Sequence, residues 1–217
     1  FVNKVVPFKK FDLPEIIGVG DDDYKYEDEE KEEPIDLFQL PIIYNKDPDK
    51  KKVTTAIKKL IDKMRDDVIK YNYLPNDFMF IFPVLKGNFF ANHLQREIYM
   101  FWLDVQFDDE YKEYRNSSFH KDPHWSKILE NNQTRGIDYV ILHKSEIGSS
   151  INLNESEHST RIMSIHAAKG TGRKVVFVLG VNESVLNIWS KTGSLVYESL
   201  IHVAITRQKK KLYVGLV

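Results

Sequence analysis

The chain has 217 residues, a formal net charge of −1 and no cysteine. Its hydrophobic and charged fractions, 42% and 29%, suit a globular protein long enough to bury a sizeable core, which excludes a disordered or fibrous class. The near-neutral balance excludes a global basic field for a polyanion, and the cysteine count excludes disulfides and thiolate zinc sites and favours an intracellular location.

In chain order, residues 1–17 are apolar and basic and read as the tail of a helix entering the domain. They give way, within an acidic loop region spanning 18–50, to residues 21–33. There the carboxylates are so dense that they repel one another and favour a solvated loop over a metal site, since nothing fixes ligand spacing. Residues 36–40 supply a short extended segment. Residues 53–71 form the clearest helix, capped by Thr54 or Thr55, with Ile57, Leu60, Ile61, Met64 and Val68 on one face. Phe78-Met79-Phe80-Ile81-Phe82 follows a proline break as a continuous apolar run, which suits a strand covered on both faces. Gly87-Asn88 then turns the chain into a second helix, 89–101, with Leu94 and Ile98 facing inward.

Residues 103–136 are polar, aromatic and rich in turn formers, and read as a small insertion. His120-Lys121-Asp122-Pro123-His124 within it places ligand-type residues close together, but the proline and the lack of a regular element favour a surface loop, and no metal is expected. Strands are expected at 139–143, 160–165, 175–180 and 211–215, with a helix at 195–206. No apolar run reaches the roughly 18 residues that span a bilayer, and no basic-then-apolar signal segment opens the chain, so no membrane partner is expected. The expected fold is one α/β domain with a mostly parallel sheet of about five strands, helices on both faces and one polar insertion.

Two segments lie where open α/β sheets place their ligands. In Ser164-Ile165-His166-Ala167-Ala168-Lys169-Gly170-Thr171-Gly172-Arg173-Lys174, the alanines permit close approach. His166 offers a donor or a flat ring, the cations meet phosphates, and the glycines let amides turn outward. A tight glycine loop with solvated cations is the plain alternative, as is a buried His166. In Leu200-Ile201-His202-Val203-Ala204-Ile205-Thr206-Arg207-Gln208, one arginine is presented where an apolar helix stops. A guanidinium there can pair bidentately with a phosphate and cannot lose its charge, although a solvated helix end has the same wording. The expected geometry puts His166 and Lys169 on one rim with Arg207, at the carboxyl ends of the strands, with Arg173 and Lys174 close by. No phosphate loop of the form Gly-x-x-x-x-Gly-Lys-Ser/Thr occurs, and no acidic pair closes a strand.

At these residues the chain resembles the second RecA-like domain of superfamily 1 helicases, the UvrD/Rep group in particular. Ser164 to Gly170 with the strand 175–180 resembles that family's motif V, and Val203-Ala204-Ile205-Thr206-Arg207-Gln208 with the strand after it resembles motif VI. The strand 78–82 and its helix resemble the opening of the same domain, and the first residues resemble the helix after the family's arginine motif. The resemblance implies a RecA-like, P-loop-NTPase-like sheet and the C-terminal motor domain of an ATP-dependent DNA helicase. Arg207 is then the arginine finger that reaches the γ-phosphate, and Lys169, Gly170, Thr206 and Gln208 lie beside the nucleotide. Ser164, His166, Arg173 and Lys174 face single-stranded DNA. ATP and Mg²⁺ would be held mainly by an N-terminal RecA-like domain of the same polypeptide, so the chain alone is expected to hydrolyse no ATP.

Two departures stand out. Thr171 and Gly172 occupy the places where the family usually has leucine and glutamate, which puts a nucleotide-sugar contact in doubt. The large accessory domain of the bacterial enzymes is absent, with only 103–136 in its place. This compact form resembles helicases of large DNA viruses, so the compartment could be nucleus, cytoplasm or a viral replication site. The alternatives are a catalytically silent RecA-like module for nucleic-acid binding or scaffolding, and an RNA-directed helicase, since backbone contacts do not choose the sugar.

Overall fold

A computed structural model describes residues 36–41, 49–130, 137–144, 151–182 and 202–217. The expectations for 1–17, for 21–33 and for all but the end of the 195–206 helix lie outside the described residues. Six strands form one sheet: β1 (Asp36–Gln39), β2 (Phe78–Phe82), β3 (Val140–Leu142), β4 (Thr160–Ser164), β5 (Arg173–Val181) and β6 (Gln208–Leu216). Their order is β1-β6-β5-β2-β4-β3, and every neighbouring pair is parallel. The all-parallel sheet agrees with the RecA-like α/β expectation, with one strand more than read from the sequence. The extra strand is β1.

The central strand β2 is buried at all five positions, so its alternate residues face two separate cores. Phe78, Phe80 and Phe82 point to one side with Phe177, Leu179 and Tyr213, while Met79 and Ile81 point to the other with Met163, Val176, Val178 and Val214. Across the first face the rings of Phe80, Phe177 and Tyr213 stack on three adjacent strands, with centroids 4.5 and 4.3 Å apart. Two helices cover this face, α1 (Lys50–Tyr71) and α2 (Phe89–Phe107). Ile57, Leu60, Met64 and Val68 of α1 are buried as their spacing predicts, and so are Leu94 and Ile98 of α2.

The cap of α1 is Asp49, whose carboxylate accepts from the Lys51 and Lys52 amides. Thr54 and Thr55 bond back to carbonyls one turn earlier inside the helix. The helix is tied to the sheet by buried Asp67, which pairs with Lys211 Nζ at 2.7 Å and accepts from the Tyr213 hydroxyl at 3.0 Å.

The expected polar insertion is different in kind. Its first residues extend α2 to Phe107. Two short helices follow, α3 (Lys112–Ser117) and α4 (Pro123–Glu130). Pro123 starts α4 rather than breaking structure, because Asp122 accepts from the His124 and Trp125 amides and a helix's first residue needs no amide hydrogen bond. Tyr111, Tyr114, Phe119 and Trp125 from this stretch are all buried in the first core. The surface-loop reading holds for the turn at 120–122, exposed at His120 and Lys121, but Pro123 and His124 begin a helix that packs against the core through Trp125. Among the described residues no helix is long and apolar enough to cross a membrane.

Candidate functional site

β4 ends at Ser164, and the Ile165 amide continues its pairing by donating to Phe82 O at 3.0 Å, at the carboxyl edge of β2. A run of turns follows. Ala167 N–H donates to Ser164 Oγ at 3.3 Å, and Ala168 N–H to the Ser164 and Ile165 carbonyls at 3.1 and 3.3 Å. Ala168 is thereby buried against the second core, while His166, Lys169 and Gly170 are exposed. Gly170 has φ +74°, a left-handed turn that glycine adopts without strain. His166 is exposed, so the buried-histidine alternative does not hold. Partial burial and, secondarily, the Lys169 ammonium hold its pKa below the usual histidine value, which favours a neutral ring at physiological pH.

The segment then crosses the second face. Thr171 bonds to Ala168 O through both its amide and its hydroxyl, and β5 starts at Arg173, at the opposite edge of the sheet. Arg207 lies at this edge too, directly before β6, and its carbonyl accepts from the Arg173 amide at 3.1 Å. The expectation of a single rim is thus corrected. His166 lies by the carboxyl ends of β2 and β4, whereas Arg207, Arg173 and Lys174 lie at the amino ends of β5 and β6. The physical reason is that no helix interrupts the segment from 165 to 172, so it spans the sheet from edge to edge.

Before β6 the chain forms a helical turn over 202–205 with Ala204 and Ile205 buried and His202 and Thr206 exposed. Arg207 folds back on this turn: Nε donates to Val203 O at 2.9 Å and Nη2 to Thr206 Oγ1 at 3.0 Å. Among the described residues no carboxylate pairs with it. Beside it, Gln208 Oε1 is buried and finds no donor among the described residues.

The two remaining cations have internal partners. Arg173 Nη2 donates to the carbonyls of Ser156 and Glu157 at 2.9 and 3.1 Å. Burial and the neighbouring Arg161 guanidinium push its pKa down to about 10, still cationic at neutral pH. Lys174 pairs with Asp77 at 3.1 Å and sits over the Tyr73 ring. Both side chains brace the amino edge of the sheet.

Sequence reasoning missed a further polar cluster. Ser156 is fully buried; its hydroxyl contacts His143 Nε2 at 2.8 Å and accepts from Arg161 Nε at 2.8 Å. Burial and then the Arg161 charge lower the His143 pKa. Beside it, at the carboxyl end of β3, an open cavity of about 530 Å³ is lined by Gln95, His143, Lys144, Asn152 and Glu155 among others. None of the residues expected to act lines it, and a lone histidine after a three-residue strand gave no sequence signal. His124 stacks face to face on His158 at 3.8 Å, and among the described residues no group of three or more His, Asp or Glu could hold a metal ion.

With this geometry in view, residues 96–217, more than half of the chain, match the model for the UvrD-like helicase C-terminal domain. The chain belongs to that family. Family membership sets this UvrD-like domain in a helicase and ATPase context. Among solved structures, it is similar to the C-terminal domain of a possible DNA helicase from Lactobacillus plantarum WCFS1 at 11% identity and a TM-score of 0.40. That alignment covers 84% of this chain and 73% of the other. No curated protein matches the UvrD-like domain, and neither finding speaks to a viral origin.

Proposed function

We propose that this UvrD-like domain is the C-terminal motor half of an ATP-dependent DNA helicase or translocase. Its role is to bring Arg207 to a nucleotide whose phosphates and Mg²⁺ are held mainly by an N-terminal RecA-like domain of the same polypeptide. The observation that carries the reading is Arg207 itself. It is a guanidinium at a strand edge, without a carboxylate partner among the described residues and held only by one carbonyl and one hydroxyl, contacts that a phosphate can replace. Thr206 and Gln208 flank it, and Lys169 and Gly170 lie on the turn that leads from it to His166, which faces single-stranded DNA. Ser164, expected beside His166, is buried and braces that turn by accepting from the Ala167 amide. Arg173 and Lys174 lie at the amino edge beside Arg207, away from His166, and because internal partners engage them they add fewer phosphate contacts than their charge suggests. The helices at 112–130 stand where the bacterial enzymes insert an accessory domain.

The intact polypeptide should hydrolyse ATP in a manner stimulated by single-stranded DNA, and the 217-residue chain alone should not. Robust DNA-stimulated hydrolysis by the chain alone, abolished by Arg207→Ala, would sink the split-site reading. Gly172, in the family's glutamate position, favours a second reading as a silent nucleic-acid-binding module. An intact polypeptide that binds DNA but turns over no ATP decides for it.

His166→Ala is expected to weaken single-strand binding by about 1–3 kcal/mol, the range for loss of a base-stacking ring. Fluorescence anisotropy with a labelled oligonucleotide measures this directly. Unchanged affinity would remove His166 from the interface.

A further inference from the structure

We infer that Gly172 is a positioning residue for Arg207, locking the motif V-like segment to the motif VI-like arginine; this rests on the reading of Arg207 given above. A Cβ built on Gly172 would lie 2.9 Å from the Arg207 carbonyl oxygen, closer than real side chains tolerate, and the atom it meets is backbone. The φ of Gly172 is not positive, so conformational freedom does not explain the glycine there. Close approach does.

That approach is used. The next residue, Arg173, donates its amide to the same Arg207 oxygen at 3.1 Å. The Arg207 amide reaches Ala204 O at 3.4 Å, and its side chain bonds to Val203 O and Thr206 Oγ1. The backbone of Arg207 is therefore held between its own helical turn and the end of the segment that starts at His166.

Two consequences follow from this contact. The guanidinium swings from a fixed root, since only its own side-chain torsions are free. Displacement of the 165–172 segment at the opposite edge of the sheet is carried to Arg207 through the 172–173 backbone. A glutamate at position 172 is incompatible with this contact for the same steric reason as alanine. Shifts well below an ångström in a charge-stabilising group have large kinetic effects while hardly changing substrate affinity.

The test is a double-mutant cycle in the intact polypeptide, comparing Gly172→Ala, Arg207→Ala and the pair. Gly172→Ala should lower kcat by about tenfold to a hundredfold, with KM for ATP and affinity for single-stranded DNA nearly unchanged. In the Arg207→Ala background it should add no further loss. An unchanged kcat, or a loss that adds in full to that of Arg207→Ala, overturns the proposal. Intact hydrolysis in Arg207→Ala alone overturns the functional reading instead, so the two failures are distinct. Should Gly172→Ala not fold, hydrogen exchange in the unsubstituted protein still decides. The Arg173 amide should exchange more slowly than that of Gly172, and equal, unprotected rates would show that the contact is not there.

Discussion

Replacing Arg207 with alanine in the intact polypeptide is expected to cut ATP turnover by roughly a thousandfold or more while leaving ATP binding nearly intact. The guanidinium has no carboxylate to satisfy among the described residues, so its charge is available as the γ-phosphoryl group departs. Its ground-state partners, Val203 O and Thr206 Oγ1, are neutral, and exchanging them for phosphate oxygens costs little compared with breaking an ion pair. Steady-state hydrolysis beside nucleotide titration separates the two effects. A loss of less than about tenfold would make Arg207 an ordinary helix-end cation.

Trp125→Ala should destabilise the domain by about 3–5 kcal/mol, the usual cost of deleting a large buried aromatic side chain. Trp125 is 2% exposed, lies parallel to Tyr139 at 5.4 Å and meets the edge of Phe119 at 5.2 Å. It joins α4 to the start of β3, so the loss falls on the core and not on a peripheral loop. Denaturant titration of the chain reads it as a lower midpoint at similar slope. A change under about 1 kcal/mol would restore residues 103–136 to the status of a surface insertion.

That region also shows where sequence reasoning stopped. The apolar run at 78–82 and the helical spacing from Ile57 to Val68 are strong local signals, and both elements formed as read. The aromatics at 111, 114, 119 and 125 are spread over separate short helices and the turn between them, so no single period marks them as one buried set. The strand β1 has four residues and gains its place in the sheet from pairing with β6, a partner much later in the sequence. For the site, residue types and order were legible in the 164–174 and 203–208 segments, but their placement was not. Spacing alone does not tell that eight residues after β4 cross the sheet, separating His166 from Arg207 by its full height. Nor does it tell that Arg173 and Lys174 are bound inward by Ser156, Glu157 and Asp77.

The strand order has a consequence for how the chain reaches its native state. β6 is synthesised after the other five strands, yet it lies between β1 and β5 and supplies β1's neighbour in the sheet. During vectorial synthesis β1 therefore waits without that partner, and β5 keeps an open edge, until residues 208–216 have emerged. Closing the sheet requires contacts between the sequence-distant ends, which slows folding and prolongs the exposure of unpaired strand edges. Truncation within β6 should accordingly leave two open edges rather than a shortened sheet, and such a chain would be prone to pair with copies of itself.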